Sequence, residues 1–145
     1  MKTLHFLAND YGKGNAYGLL ILRFVAGMTI LYGHGLEKLE MLFSGQPIQF
    51  LDPIGIGGTT SFYLAFFAEA ICALLLIFGL WTRLAALILS INFLVILFFH
   101  AIIAKDGFPI LETRFLYMMS YVSILLLGAG KISIDYLRQN IKNNA

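Results

Sequence analysis

Charge is what this chain has least of. Lys, Arg, Asp and Glu together make 12% of 145 residues, against 59% hydrophobic residues. A soluble domain of that size keeps too large a surface fraction to hide such an apolar excess, so the excess is expected to face lipid. The formal net charge is only +2 and no long block of like charge occurs. This excludes a nucleic-acid arm or a polybasic lipid-binding tail, and no nucleic acid is expected as a partner. Cysteine is nearly absent as well: Cys72 stands alone inside an apolar run, so an internal disulfide or dithiol pair is excluded and sulfur redox chemistry would need a second protein. The glycine fingerprint of a flavin or nicotinamide site is missing too, so the chain is not expected to supply its own electrons. Arg23 interrupts the first apolar run and no small-residue cleavage site follows, which argues against a removable signal peptide.

What the chain has instead is long apolar runs. A helix needs about 20 mostly apolar residues to cross the hydrocarbon layer, and four stretches meet that length: about Tyr17 to Gly35, Ser61 to Leu80, Leu84 to Ile103 and Pro109 to Leu127. Pro109 suits a first helical position. Glu112 and Arg114 must sit at the interface or point into the bundle, with Arg114 able to snorkel outward. The expected fold is an all-α membrane protein, a bundle of four transmembrane helices in a single domain over residues 1–145. Only Trp81, Thr82 and Arg83 separate the second and third spans, so those helices form an antiparallel hairpin. In the longer first loop, Leu36, Leu39, Leu42 and Phe43 recur at helical spacing while Glu37, Lys38 and Glu40 occupy other faces, which predicts a short interfacial helix. Pro47, Pro53, Gly55, Gly57 and Gly58 then predict an irregular return to the second span.

Lys2, Lys13, Arg83, Lys131, Arg138 and Lys142 fall on one side of this map, and Lys38, Lys105 and Arg114 on the other. The richer side is expected to be cytoplasmic, with both termini inside.

Several polar groups stand where lipid should be. Arg23 lies about two turns into the first span and Glu69 near the middle of the second, positions where a lone charge costs several kcal/mol. Their depths differ by about 7 Å at 1.5 Å per residue, so a mutual Arg23–Glu69 pair locking two helices is one expectation. The other is a Glu69 carboxyl that exchanges a proton with a bound ligand. His34, Glu37 and Lys38 close the outer end of the first span and His100 that of the third, where they can face one another. Imidazoles there can hydrogen-bond a quinone carbonyl or transfer protons. As ligands for a metal or haem, two histidines on separate helices without a close motif are a weak signal, and no metal site is assigned. Asn92 is expected to hydrogen-bond to a neighbouring helix. The tyrosines and Trp81 fit interfacial aromatic belts.

Arg23, Gly27, Gly33-His34-Gly35 and Lys38 resemble the opening pattern of the DoxX family. Glu69, the turn Gly79-Leu80-Trp81-Thr82-Arg83, His100 and the stretch Gly128-Ala129-Gly130-Lys131-Ile132-Ser133-Ile134-Asp135 resemble its further landmarks, so the likeness covers nearly the whole chain. The resemblance implies a bacterial inner-membrane protein of four helices, in a family described as membrane oxidoreductase subunits. Relatives include the membrane subunit of a thiosulfate:quinone oxidoreductase, and others are associated with complexes that handle thiol or oxidative stress. Carried over by position, Arg23, His34, Lys38, Glu69 and His100 form the polar core. Glu69 and His34 are expected to be catalytic, with Arg23, Lys38 and His100 binding the ligand. In the tail, Gly128 and Gly130 can end the fourth span and Ser133 can cap a short helix.

The leading expectation is thus a subunit that binds a quinone or similar lipid-soluble redox molecule and takes electrons from a soluble or membrane redox partner. The alternatives are a non-catalytic anchor or assembly factor for a partner enzyme, and a small-solute transporter. The last lacks a recognisable inverted repeat, so it would call for a homo-oligomer.

Overall fold

The computed structural model describes residues 12–143, which are largely helical with no strand among them. Lys2, counted above on the inner side, lies outside the described residues, as does the side chain of Lys13. Four helices are long and apolar enough to cross a membrane: α1 (Asn15–Phe43), α2 (Gly58–Phe78), α3 (Thr82–Ile103) and α4 (Phe108–Leu127). A fifth, α5 (Ile134–Asn143), follows them and exposes most of its length. The short helix expected after the first span is present as Leu36–Phe43. It is continuous with α1, following it through a π-helical turn at Leu31–Gly35.

Lipid accounts for the outward faces. On α3, Leu84, Leu87, Ile91, Leu94 and Phe98 are exposed, a spacing of three and four that traces one stripe along the helix. The opposite stripe, Thr82, Ala85, Ala86, Leu89, Ser90 and Phe93, is buried. Water would not tolerate the first stripe, whereas hydrocarbon does. Inside the bundle the contact residues are small: Ala26, Ala68, Ala73, Ala85 and Ala86 belong to the core with Ile30, Leu76, Leu89 and Ile124. Lipid offers no hydrophobic drive between helices, so close packing supplies the attraction, and small side chains allow it. Gly27 shows the tolerance, since a Cβ there would come within 2.6 Å of the Ile77 side chain and 3.0 Å of the Ala73 carbonyl. Hydroxyls that face away from water return their protons to the backbone four residues earlier, as Ser90 does to Ala86 at 2.7 Å and Thr29 to Val25 at 2.7 Å. Tyr121 reaches from α4 to the Ala26 carbonyl of α1, 3.2 Å away.

The two ends of the bundle are finished differently. At the near end, which carries the described termini and lies opposite the far end of the bundle, α2 stops at Gly79 in the left-handed conformation, with Gly79 N–H donating to Leu76 O and Leu80 N–H to Leu75 O. That pair of bonds is a Schellman stop. The α3 N-terminus is closed by Asp135, whose carboxylate accepts from Trp81 N–H at 2.8 Å and Thr82 N–H at 2.9 Å. A carboxylate at a helix start satisfies orphan donors and opposes the helix dipole. Trp81, whose amide it accepts from, stands at φ 48°. Ser133 caps α5 by accepting from Tyr136 N–H at 3.2 Å, and Gly128 ends α4 at φ 84°, as the tail motif predicts.

Candidate functional site

The second end of the bundle holds a cavity. About 500 Å³ lies enclosed by the upper halves of α1, α2 and α3, the start of α4 and the loop around Phe50 to Ile56. Most of its wall is apolar, and its polar groups are His34, Lys38, Ser61, Glu69, Asn92, His100 and Arg114.

Three π-helical turns sit around it: Leu31–Gly35, Phe67–Cys72 and Phe99–Ile103. They carry His34, Glu69 and His100 respectively. A π turn adds a residue to the helical repeat, so it re-aims every side chain after it, and such turns recur at functional sites. Local packing sets the first two against each other. A Cβ on Gly35 would stand 2.5 Å from the Glu69 carbonyl, so only glycine lets the two turns meet. The re-aimed helix then brings Lys38 over α2, where its Nζ donates to Glu69 Oε2 at 2.6 Å.

This overturns two expectations. Lys38 belongs to the interior, 7% exposed, rather than to the polar faces of an interfacial helix. Glu69, 3% exposed, is paired with Lys38 and not with Arg23, and its Oε1 accepts from Asn92 Nδ2 at 2.9 Å. Asn92 thus bonds across helices as expected. Arg23, 1% exposed, turns toward the near end, donating from Nη2 to Ile132 O at 2.6 Å and from Nη1 to Leu76 O at 3.3 Å. Leu76 is seven residues beyond Glu69, about 10 Å along the helix. There the guanidinium meets a carbonyl in the last turn of α2, where the helix dipole favours a cation, and a second carbonyl in the connection before α5. Arg23 is therefore not among the residues brought together at the cavity, whereas His34, Lys38, Glu69 and His100 are.

Groups that the sequence pattern does not single out complete the site. His100 Nδ1 donates to Asp106 Oδ2 at 2.5 Å, which leaves Nε2 as the ring atom open to a ligand. Phe50 folds the loop over the site: the Lys38 ammonium lies 5.5 Å from its ring centroid, and the ring packs edge-on against Phe62. Asp52 pins that loop, accepting from Ile56 N–H at 2.9 Å, Gly57 N–H at 2.8 Å and Ser61 Oγ at 3.1 Å. The Gly57 bond, aided by those from Ile56 and Ser61, draws the Asp52 carboxyl below its ordinary range. The Asp52-Pro53 and Asp106-Gly107 pairs are turn signals that could have flagged both loops.

A broader groove of about 790 Å³ opens at the near end between Trp81, Arg83, Gly128 and Tyr136. Its carboxylate, Asp135, is spent on the Trp81 and Thr82 amides, so it offers no comparable chemistry.

Fold and site together define a multi-pass membrane protein of four spanning helices with a polar cluster under one end of the bundle. The DoxX family model matches residues 18–101, and the chain belongs to that family. The matched stretch contains Arg23, His34, Lys38, Glu69 and His100. Two proteins of Haemophilus influenzae are similar over most of their length, both described as uncharacterized. One is 33% identical over 137 residues, covering 90% of this chain and 89% of its own. The other is 32% identical over 132 residues, covering 88% and 95%. No solved structure matches the chain.

Proposed function

We propose that this DoxX protein is a membrane subunit of an oxidoreductase system of the bacterial inner membrane, and that its cavity binds a quinone or similar lipid-soluble redox molecule. The observation that carries this reading is a carboxylate, an ammonium, a guanidinium and two imidazoles on the wall of one largely apolar cavity of about 500 Å³. That volume is within the usual range for small-molecule sites. Leu64, Phe67 and Ile91 line the cavity and are also exposed on the outer faces of α2 and α3, so a ligand dissolved in the bilayer reaches it without crossing water.

Reduction of a quinone to its quinol takes two electrons and two protons, one proton for each carbonyl oxygen. A partner redox protein supplies the electrons. One proton passes through the His34 ring and the other is the proton shared by the Lys38–Glu69 pair, handed on through the Glu69 carboxyl and replaced from water at the membrane surface, while Asn92 holds that carboxyl in place and His100 binds a carbonyl oxygen through Nε2. Both termini are cytoplasmic in this reading, and burial of Lys38 strengthens it, because a lysine tied to Glu69 no longer counts as an outer loop charge.

A second reading has one observation in its favour. Both Glu69 oxygens are already hydrogen-bonded within the protein, which suits a structural pair in a non-catalytic anchor or assembly factor. An oxidised-minus-reduced ultraviolet and visible spectrum of the protein purified in mild detergent separates the two. The quinone reading expects a stoichiometric quinone signal, lost in His34→Ala and in the charge-balanced double variant Glu69→Gln, Lys38→Met. A featureless spectrum from folded protein supports the anchor.

A further inference from the structure

At the far end, one cation on the cavity wall lacks an anion among the described residues. Lys38 is neutralised by Glu69 and His100 faces Asp106, and these are the side-chain ion pairs found among the described residues. Arg114 lines the same cavity and a smaller recess of about 60 Å³ beside it, shared with His34, Glu69, Thr113 and Tyr117. Its Nη1 donates only to the Ile110 carbonyl one turn back, at 3.3 Å. Its Nε–H is buried with no acceptor among the described residues. A guanidinium does not deprotonate, so the charge cannot be shed. A cation held at the edge of the hydrocarbon, with a buried unused donor, is stabilised by an anion that the described chain does not provide.

We propose that Arg114 is the specificity-determining residue of the cavity, and that the ligand is an acidic amphiphile. An apolar body fills the space between α2 and α3, and a carboxylate or enolate oxygen at its head meets the Arg114 guanidinium. The planar guanidinium favours an oxygen anion over a neutral carbonyl, because opposite charges add Coulomb attraction in a low-dielectric site and a carboxylate can accept from it bidentately. This rests on the cavity being the ligand site and narrows what occupies it. For a quinone, it selects an acidic hydroxyquinone over a fully alkylated one.

Two matched pairs of probes test the inference on the full chain in lipid nanodiscs by equilibrium dialysis. One pair is an alkyl hydroxynaphthoquinone, an anion at neutral pH, and its methyl ether. The other is a long-chain fatty acid and its methyl ester. The acid of at least one pair is expected to bind about tenfold tighter than its methyl partner. Arg114→Gln should remove that preference while leaving the methyl compounds unchanged, and Arg114→Lys should keep part of it. An acid preference confined to the fatty pair, with no naphthoquinone bound, upholds Arg114 and sinks the quinone reading. Equal binding within the naphthoquinone pair and no acid preference in the fatty pair overturns the role of Arg114 but spares the quinone. An acid preference that survives in Arg114→Gln overturns it as well, and no binding by either pair overturns both. The wild-type comparison needs no variant to fold.

Discussion

The two ends of this bundle both bury charge, and they do it in opposite ways. At the near end Arg23 and Asp135 bond to backbone: Arg23 to the carbonyls of Leu76 and Ile132, Asp135 to the amides of Trp81 and Thr82. At the far end Lys38, Glu69 and Asn92 bond to one another along the wall of a cavity. Backbone groups cannot change protonation or move aside without undoing a helix end. Side-chain partners can exchange protons and repack around a ligand. The near end is therefore a clamp, and the far end is where chemistry is available.

The comparison is tested most sharply at Glu69. Glu69→Gln alone leaves the Lys38 ammonium buried without its counter-charge, and a loss of about 3–5 kcal/mol of stability is expected. Replacing both, as Glu69→Leu with Lys38→Met, should restore most of it, because the desolvation cost disappears with the pair. Unfolding in detergent, read as a double-mutant cycle, checks this. A single variant as stable as the wild type would mean the pair is not dry, and the contrast between the ends would weaken.

Next comes Asp135→Ala, which strips two charge-assisted bonds from the start of α3 and should cost about 2 kcal/mol. Affinity for any ligand of the far cavity should stay unchanged. Altered affinity in a folded Asp135→Ala protein would show that the two ends are coupled.

The smallest effect concerns Asp52, which is exposed. Its carboxyl titrates below the ordinary 3.8 because it accepts amide bonds in the folded loop. A depressed folded value means the contribution is complete above the unfolded pKa and is lost as pH falls through the folded one. Amide exchange protection at Ile56 and Gly57 should then hold from neutrality to about pH 4, decline in stronger acid and be absent in Asp52→Ala. Protection that declines near neutrality would assign the pinning of this loop to some other group.

Much of the fold is legible in the residues alone. Length and hydropathy place the spans to within a few residues, because the bilayer imposes one length on any helix that crosses it; the exception is the end of α1, which runs on to Phe43, eight residues past the expected Gly35. Glu69 stands out as a charge at membrane depth and His34, Lys38 and His100 as polar groups at the outer ends of the spans, and all four line one cavity. Their partners are harder to see. Arg23 and Glu69 are matched by depth, yet depth along an axis says nothing about which way a long side chain turns. An uninterrupted 3.6-residue repeat places Lys38 beside Glu37 on a solvated face, and no sequence pattern announces the π turn that swings it inward.

The sequence by itself therefore determined the solvent: so few charges over so many apolar residues leave lipid as the surroundings, and the backbone must then close its own hydrogen bonds in helices. Tertiary structure alone decided the pairing. Gly35 lets two π turns touch, the touch brings Lys38 to Glu69, and Arg114 is left on the cavity wall with no ion-pair partner among the described residues. Pairing depends on helix rotation and close approach, which are set by packing between segments far apart in the chain and not by the residues flanking each charge.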